Sequence, residues 1–156
     1  MWRFWTCQKI QRLEEMCTKC NNQLQDYENE FDEIDAVIEL ENIRRKDENL
    51  KEISFDTIAA SGPNAALPHY RVNYSSNRTI KKGDVLLVDS GGQYLDGTTD
   101  ITRTIAIGIQ SEEVKNAFTR VLKGLIAISK LKFPSGTSGR DIDAFARAPL
   151  WQLGQD

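Results

Sequence analysis

The stretch "LLVDSGGQYLDGTTDITRT", residues 86–104, sets a carboxylate inside an apolar run, turns, and offers a second carboxylate on the way back. Asp89 follows Leu86, Leu87 and Val88, where a buried strand should carry another aliphatic side chain. Asp100 stands just before Ile101, Arg103, Ile105 and Ile107. Side chains alternate along a strand, so residues 89, 91 and 93 share one face. If Asp96-Gly97 is the two-residue turn of a hairpin, residue 93 lies opposite residue 100. Asp89 and Asp100 then point to the same side of the sheet, but their offset leaves roughly 13 Å between them. A bulge would bring them closer, and Gly91-Gly92 is where one is cheapest. A buried carboxylate neutralises or finds a cation, and two on one hairpin suit a metal ion. In the alternative, Asp89 ends its strand and caps a turn at Ser90-Gly91, while Asp100 pairs with Arg103. The residues alone leave both open.

The bulk properties narrow the classes of function. The chain has 156 residues, 40% of them hydrophobic and 28% charged, which suits one domain with an ordinary core. A formal charge of -3 without a Lys/Arg cluster gives no footprint for nucleic acid. No run of about 18 apolar residues is present, so no membrane span is expected. The opening "MWRFWTC" lacks the apolar core and small-residue cleavage site of a signal peptide. Cys7, Cys17 and Cys20 are an odd set that makes no disulfide framework, and a cytoplasmic setting is expected. Cys17-x-x-Cys20 with Cys7 could supply three zinc ligands, yet Cys17 and Cys20 also fall on an apolar seam where small side chains belong. His69 is the one histidine. Any catalytic scheme must use it or do without histidine.

Along the chain, Ile10, Leu13, Cys17, Cys20, Leu24, Tyr27, Phe31, Ile34 and Ile38 recur at steps of three and four. That spacing predicts a long amphipathic helix or helix pair over 10–38, with "NIRRKDEN" at 42–49 as a solvated linker. "ISFDTIAA" at 53–60 reads as a strand, followed by the turn-rich "SGPN". Ser111 with Glu112 and Glu113 caps a helix whose stripe is Val114, Ala117, Phe118, Val121, Leu122, Leu125 and Ile128. "FPSG" at 133–136 ends it. A last helix starts near Ser138, with Asp141 as capping-box partner, and Pro149 should kink or end it. Strands followed by helices predict an α+β layout.

Three blocks carry a resemblance: "SFDTIAASGPNAALPHY" at 54–70, "VDSGGQYLDGTTDITRT" at 88–104 and "VLKGLIAISKLKFPSGTSGRDIDAFARAPLW" at 121–151. They resemble consecutive parts of aminopeptidase P, the Xaa-Pro aminopeptidases of the pita-bread metallopeptidase family, from about Phe31 to Asp156. The resemblance implies a helical segment over 1–30 without a family match, then the amino-terminal half of a pita-bread catalytic domain over 31–156. It implies that Asp89 and Asp100 are ligands of a two-metal centre and that His69 contacts the substrate and the tetrahedral intermediate. Oxygen-rich ligation suits Mn²⁺, with Co²⁺ or Zn²⁺ as substitutes. The implied reaction removes the N-terminal residue of a peptide with proline at the second position, through a water activated by the two ions.

The sequence departs from the family where "LWQLGQD" stands, at the point where a "GTGHG"-like segment should begin. The histidine of that segment and two later glutamates would be the remaining ligands. These 156 residues alone are therefore expected to hold metal weakly and to be inactive. The alternative is a non-catalytic module that pairs with a complementary half or a second copy through an exposed sheet. Prolidase- and creatinase-like relatives match the blocks less well.

Overall fold

The computed structural model describes residues 31–155; residues 10–30 of the helix expected over 10–38 and the three cysteines lie outside them. The described residues divide into two compact units at the Ile109/Gln110 boundary. The first holds helix α1 (Glu33–Arg45), strands β1 (Leu50–Ile53) and β2 (Ile58–Ser61), a 3₁₀ turn (Gly62–Ala66), and strands β3 (Val85–Tyr94) and β4 (Gly97–Ala106). The second holds helices α2 (Glu112–Lys130) and α3 (Gly139–Trp151). This is the expected α+β class.

β3 is the middle of the sheet, and every pairing to it is antiparallel. β4 runs along one edge of β3 for its full length, from Val85↔Ala106 to Tyr94↔Gly97. The other edge is shared by β1, opposite residues 92–94, and β2, opposite residues 86–89. The strand predicted over 53–60 is therefore two strands, broken at 54–57. The break has a cause in hydrogen bonding. Ser54 N–H still donates to Gly91 O at 3.3 Å along the edge of β3 while its Oγ donates to Thr99 O at 3.2 Å, and from Ile53↔Gly92 to Ile58↔Asp89 the connector carries two residues more than β3, so it bulges out of the pairing.

The hairpin turn sits one residue earlier than the sequence suggests. Tyr94 pairs with Gly97, which makes Leu95-Asp96 the loop. A primed two-residue turn at Asp96-Gly97 would need positive φ at Asp96, and among the described non-glycine residues only His69 has it. Gly97 takes up the reversal instead, at φ 154. No bulge interrupts β3 against β4. The glycines expected to form one serve another purpose: a Cβ on Gly91 would collide with Thr99 O and Ser54 Oγ and stand 2.8 Å from the Phe55 ring.

α1 begins with a capping box, Asp35 N–H donating to Asp32 Oδ1 at 2.9 Å and Asp32 N–H to Asp35 Oδ2 at 3.2 Å. Its buried stripe is Glu33, Ala36, Leu40 and Arg44. The seam expected through Ile34 and Ile38 is out of phase with this, and Ile38 is 53% exposed. Ala36 and Leu40 pack on Ala59, Leu86, Val88, Ile80 and Ile107. A second cluster, Ile58, Ala60 and Tyr70 with Leu87, lies on the opposite face by strand alternation. The helix also takes in residues 42–45, expected as linker. Arg44 is buried there because it donates to Ser90 Oγ at 2.7 Å, to Ser90 O at 3.2 Å and to Tyr94 Oη at 3.2 Å.

The other end of the stripe is also an ion. Glu33, fully buried, accepts from Ser61 N–H (2.6 Å), Ser61 Oγ (3.1 Å), Asn64 Nδ2 (3.1 Å to each oxygen) and Tyr70 Oη (2.8 Å). Burial raises the Tyr70 phenol above its ordinary value; Ser76 opposes the rise and Glu33 adds to it.

In the second unit, Val114 N–H donates to Ser111 Oγ at 3.3 Å, and Ser138 donates to Asp141 through N–H and Oγ. Both helix starts fall where the sequence puts them. α2 and α3 meet closely at Gly124, where a Cβ would collide with Ala146 O. α3 continues past Pro149 to Trp151; the proline removes one bond, the one its N–H would make to the Phe145 carbonyl, and only Leu150 and Trp151 follow it in the helix.

Two outcomes follow from this packing. Gly91→Ala is expected to cost about 1–3 kcal/mol in thermal or denaturant unfolding, since the Cβ meets backbone. A cost near zero would mean that Thr99 O and the Ser54 and Phe55 side chains do not close over Gly91. The raised Tyr70 pKa contributes stability that is full below pH 10.0 and is lost as pH rises through the folded value. The stability gap between the native chain and Tyr70→Phe should therefore narrow above pH 10.0, and a constant gap would contradict the burial of the phenol.

Candidate metal centre

Asp89 sits in mid-strand, paired with Ile58 of β2 on one side and Thr102 of β4 on the other. It neither ends its strand nor caps a turn, since β3 continues through Ser90, Gly91 and Gly92 to Tyr94. Asp100 lies opposite Gly91. Residues directly opposite share a face, so Asp89, Gly91, Asp100 and Thr102 all stand on one side of the sheet. The earlier turn halves the offset expected from sequence: Asp89 and Asp100 are diagonal neighbours, with Cα atoms about 7–8 Å apart by strand geometry.

The electrostatics differ between the two. Asp100 is exposed, and Arg103, its alternative partner, donates to the Thr102 carbonyl at 2.9 Å. Asp89 is half-buried, and its Oδ1 is shut off from solvent with no hydrogen-bond partner. Native interiors leave few buried acceptors unsatisfied, at a cost of about 1–3 kcal/mol each. A carboxylate oxygen held that way fits a hard divalent cation. Among the described residues no group of three or more His, Cys, Asp or Glu side chains is placed to hold a metal. Among the described residues, the hairpin puts two carboxylates, Asp89 and Asp100, on one face.

His69 lies in a turn whose last residue, Tyr70, packs on that face. His69 itself is exposed, with φ 53. Leu67-Pro68-His69-Tyr70 is a turn closed by Tyr70 N–H donating to Leu67 O at 3.2 Å. Proline at its second position and positive φ at its third are the marks of a type II turn, where glycine or asparagine usually takes the third place. Histidine there costs backbone strain. Tyr70 then packs with Ile58, the cross-strand partner of Asp89. So the two carboxylates and the histidine-bearing turn share one side of the sheet.

Sequence reasoning missed the groups behind this arrangement, Glu33, Arg44 and Tyr70. A count of apolar residues passes over charged members of a buried stripe. The available signal was the spacing of Glu33, Ala36, Leu40 and Arg44, which keeps the helical period with an ion at each end.

Comparison with known proteins adds the family. The sequence matches the model of "Metallopeptidase family M24" over residues 8–156, a span that starts upstream of Phe31. It is 47% identical over 144 residues to a "Probable Xaa-Pro aminopeptidase P" of Talaromyces marneffei, covering 92% of this chain and 22% of that protein. A protein of the same description from Coccidioides posadasii is 49% identical over 135 residues, covering 86% and 21%. The chain thus spans about a fifth of the length of these relatives. Among solved structures it resembles the X-prolyl aminopeptidase of Caenorhabditis elegans, described as a cytosolic enzyme with a di-nuclear active site. The TM-score is 0.84 and the identity 38%, over 92% of this chain and 23% of that one. The X-Pro aminopeptidase of Thermotoga maritima gives a TM-score of 0.71 at 31% identity, over 90% and 39%. The fold is therefore part of the one these aminopeptidases share, and the chain belongs to metallopeptidase family M24.

Proposed function

We propose that these residues are part of a Xaa-Pro aminopeptidase, with Asp89 and Asp100 as carboxylate ligands of a two-ion centre and His69 as a donor to the substrate. The observation that carries this reading is the buried, unpartnered Oδ1 of Asp89 on the face that also bears Asp100. An all-oxygen pair favours Mn²⁺, with Co²⁺ or Zn²⁺ able to substitute. Bound ions would supply Lewis acidity and a water of lowered pKa. The chain's own part is positional. Asp89 is fixed by strands on both sides, and His69 is held, exposed, in a turn closed by Tyr70 N–H on Leu67 O. The substrates would be peptides with proline second, and the setting cytoplasmic, as for the enzyme from Caenorhabditis elegans.

Two carboxylates do not make a tight or competent centre, so donors beyond the described residues are needed. The second reading, a module that pairs with a complementary half or another copy, is favoured by β4. Its outer edge has no strand partner among the described residues.

Manganese titration of the purified chain, followed by electron paramagnetic resonance, tests the site. Weak binding is expected, lost in Asp89→Asn and in Asp100→Asn, with no release of the N-terminal residue from an Arg-Pro-Pro peptide. Without metal, Asp89→Val should raise stability by about 1–3 kcal/mol, because it removes an unsatisfied buried acceptor. Unchanged Mn²⁺ binding in both asparagine variants, or destabilisation by Asp89→Val, would contradict the assignment.

A further inference from the structure

Glu33 is a buried ion that the proposed chemistry does not use. Its donors all come from one ten-residue segment: Ser61 closes β2, Asn64 lies in the 3₁₀ turn, and Tyr70 directly follows His69. The same segment carries the one strained non-glycine residue among those described, His69 at φ 53. A strained backbone persists only where its surroundings over-determine it. Here the turn is closed by its own hydrogen bond from Tyr70 N–H to Leu67 O. Tyr70 is in turn fixed twice, its ring against Ile58 and Ala60 and its hydroxyl on Glu33 at 2.8 Å. The tie extends further, since Tyr70 Oη also lies 3.0 Å from Ser76 O and 3.0 Å from Ser76 Oγ, and Asn64 Nδ2 lies 3.2 Å from Ser76 O.

A purely structural plug at the start of α1 would be cheaper as an apolar side chain, since a buried ion carries a desolvation cost. What a carboxylate does that an apolar group cannot is gather donors from several points at once. We infer that Glu33 is a positioning residue: by collecting Ser61, Asn64 and Tyr70 it holds the His69 turn in its left-handed conformation on the Asp89 face of the sheet. The inference rests on the reading of His69 as a substrate-side group.

His69 is the single histidine of the chain, so its imidazole gives one unambiguous set of nuclear magnetic resonance signals. Tyr70→Phe keeps the ring and removes the hydroxyl with its bonds to Glu33, Asn64 and Ser76; Glu33→Gln keeps that hydroxyl and removes the charge that gathers the donors. In both variants the His69 ring and amide signals should broaden or double, while the amides of Asp89 to Thr102 keep their shifts. Unfolding of the four chains of a cycle adds an independent measure. His69→Gly should stabilise the native chain by relieving strain and do so less in a Tyr70→Phe background. Where Glu33→Gln fails to fold, Tyr70→Phe decides. A lowered melting temperature with an unchanged His69 spectrum and additive effects would show Glu33 to be structural only. The functional reading fails in the manganese titration and this one in the His69 spectrum, so the two failures are told apart.

Discussion

The pairing register of β3 with β4 is the constraint on which the rest depends. A slip of one residue in pairing would send Asp89 and Asp100 to opposite faces. Moving the turn by one residue does something else: it keeps the face and changes the offset by two. Placing the loop at Leu95-Asp96 makes the two carboxylates diagonal neighbours without any bulge. The choice of loop follows from backbone chemistry, because the glycine accepts the positive φ that neither Leu95 nor Asp96 adopts. The register is braced from outside the hairpin as well. Leu95 N–H donates to Asn49 O at 3.0 Å, and Tyr94 Oη accepts from Arg44.

α1 links that register to the histidine. Its buried stripe starts in Glu33 and ends in Arg44, three helical turns apart. The two ions are not partners of each other. Glu33 holds the segment that carries His69, and Arg44 holds β3 at Ser90, next to Asp89. One rigid helix thus fixes the distance between two elements far apart in sequence, and its apolar middle, Ala36 and Leu40, presses on the sheet between them. Placing ions in the stripe costs desolvation, offset by the bonds of Glu33 to Ser61, Asn64 and Tyr70 and of Arg44 to Ser90 and Tyr94, although Arg44 Nε stays buried without a partner. A helix with an apolar stripe throughout would pack as well but would hold neither segment in place.

Much of this was legible in the residues, though not in equal measure. The common face of Asp89 and Asp100 follows from parity alone, and the capping residues Ser111 and Ser138 mark both later helices correctly. The three quoted blocks point to the right family. What could not be read has physical reasons. The break at 54–57 depends on Ser54 bonding to Gly91 and Thr99, contacts between residues remote in sequence. The phase of α1 was misjudged because a fully buried glutamate and a buried arginine look like surface residues until their partners are known. The left-handed backbone of His69 leaves only a faint trace, a proline placed one residue before it.

Cross-strand nuclear Overhauser contacts in the β3–β4 hairpin test the central claim most directly. The account expects contacts from Asp89 to Thr102 and from Gly91 to Asp100, with Tyr94 facing Gly97 across the turn. Contacts from Asp89 to Thr104 and from Gln93 to Asp100 would instead place the turn at Asp96-Gly97. They would set the two carboxylates roughly 13 Å apart and remove the basis for a shared cation.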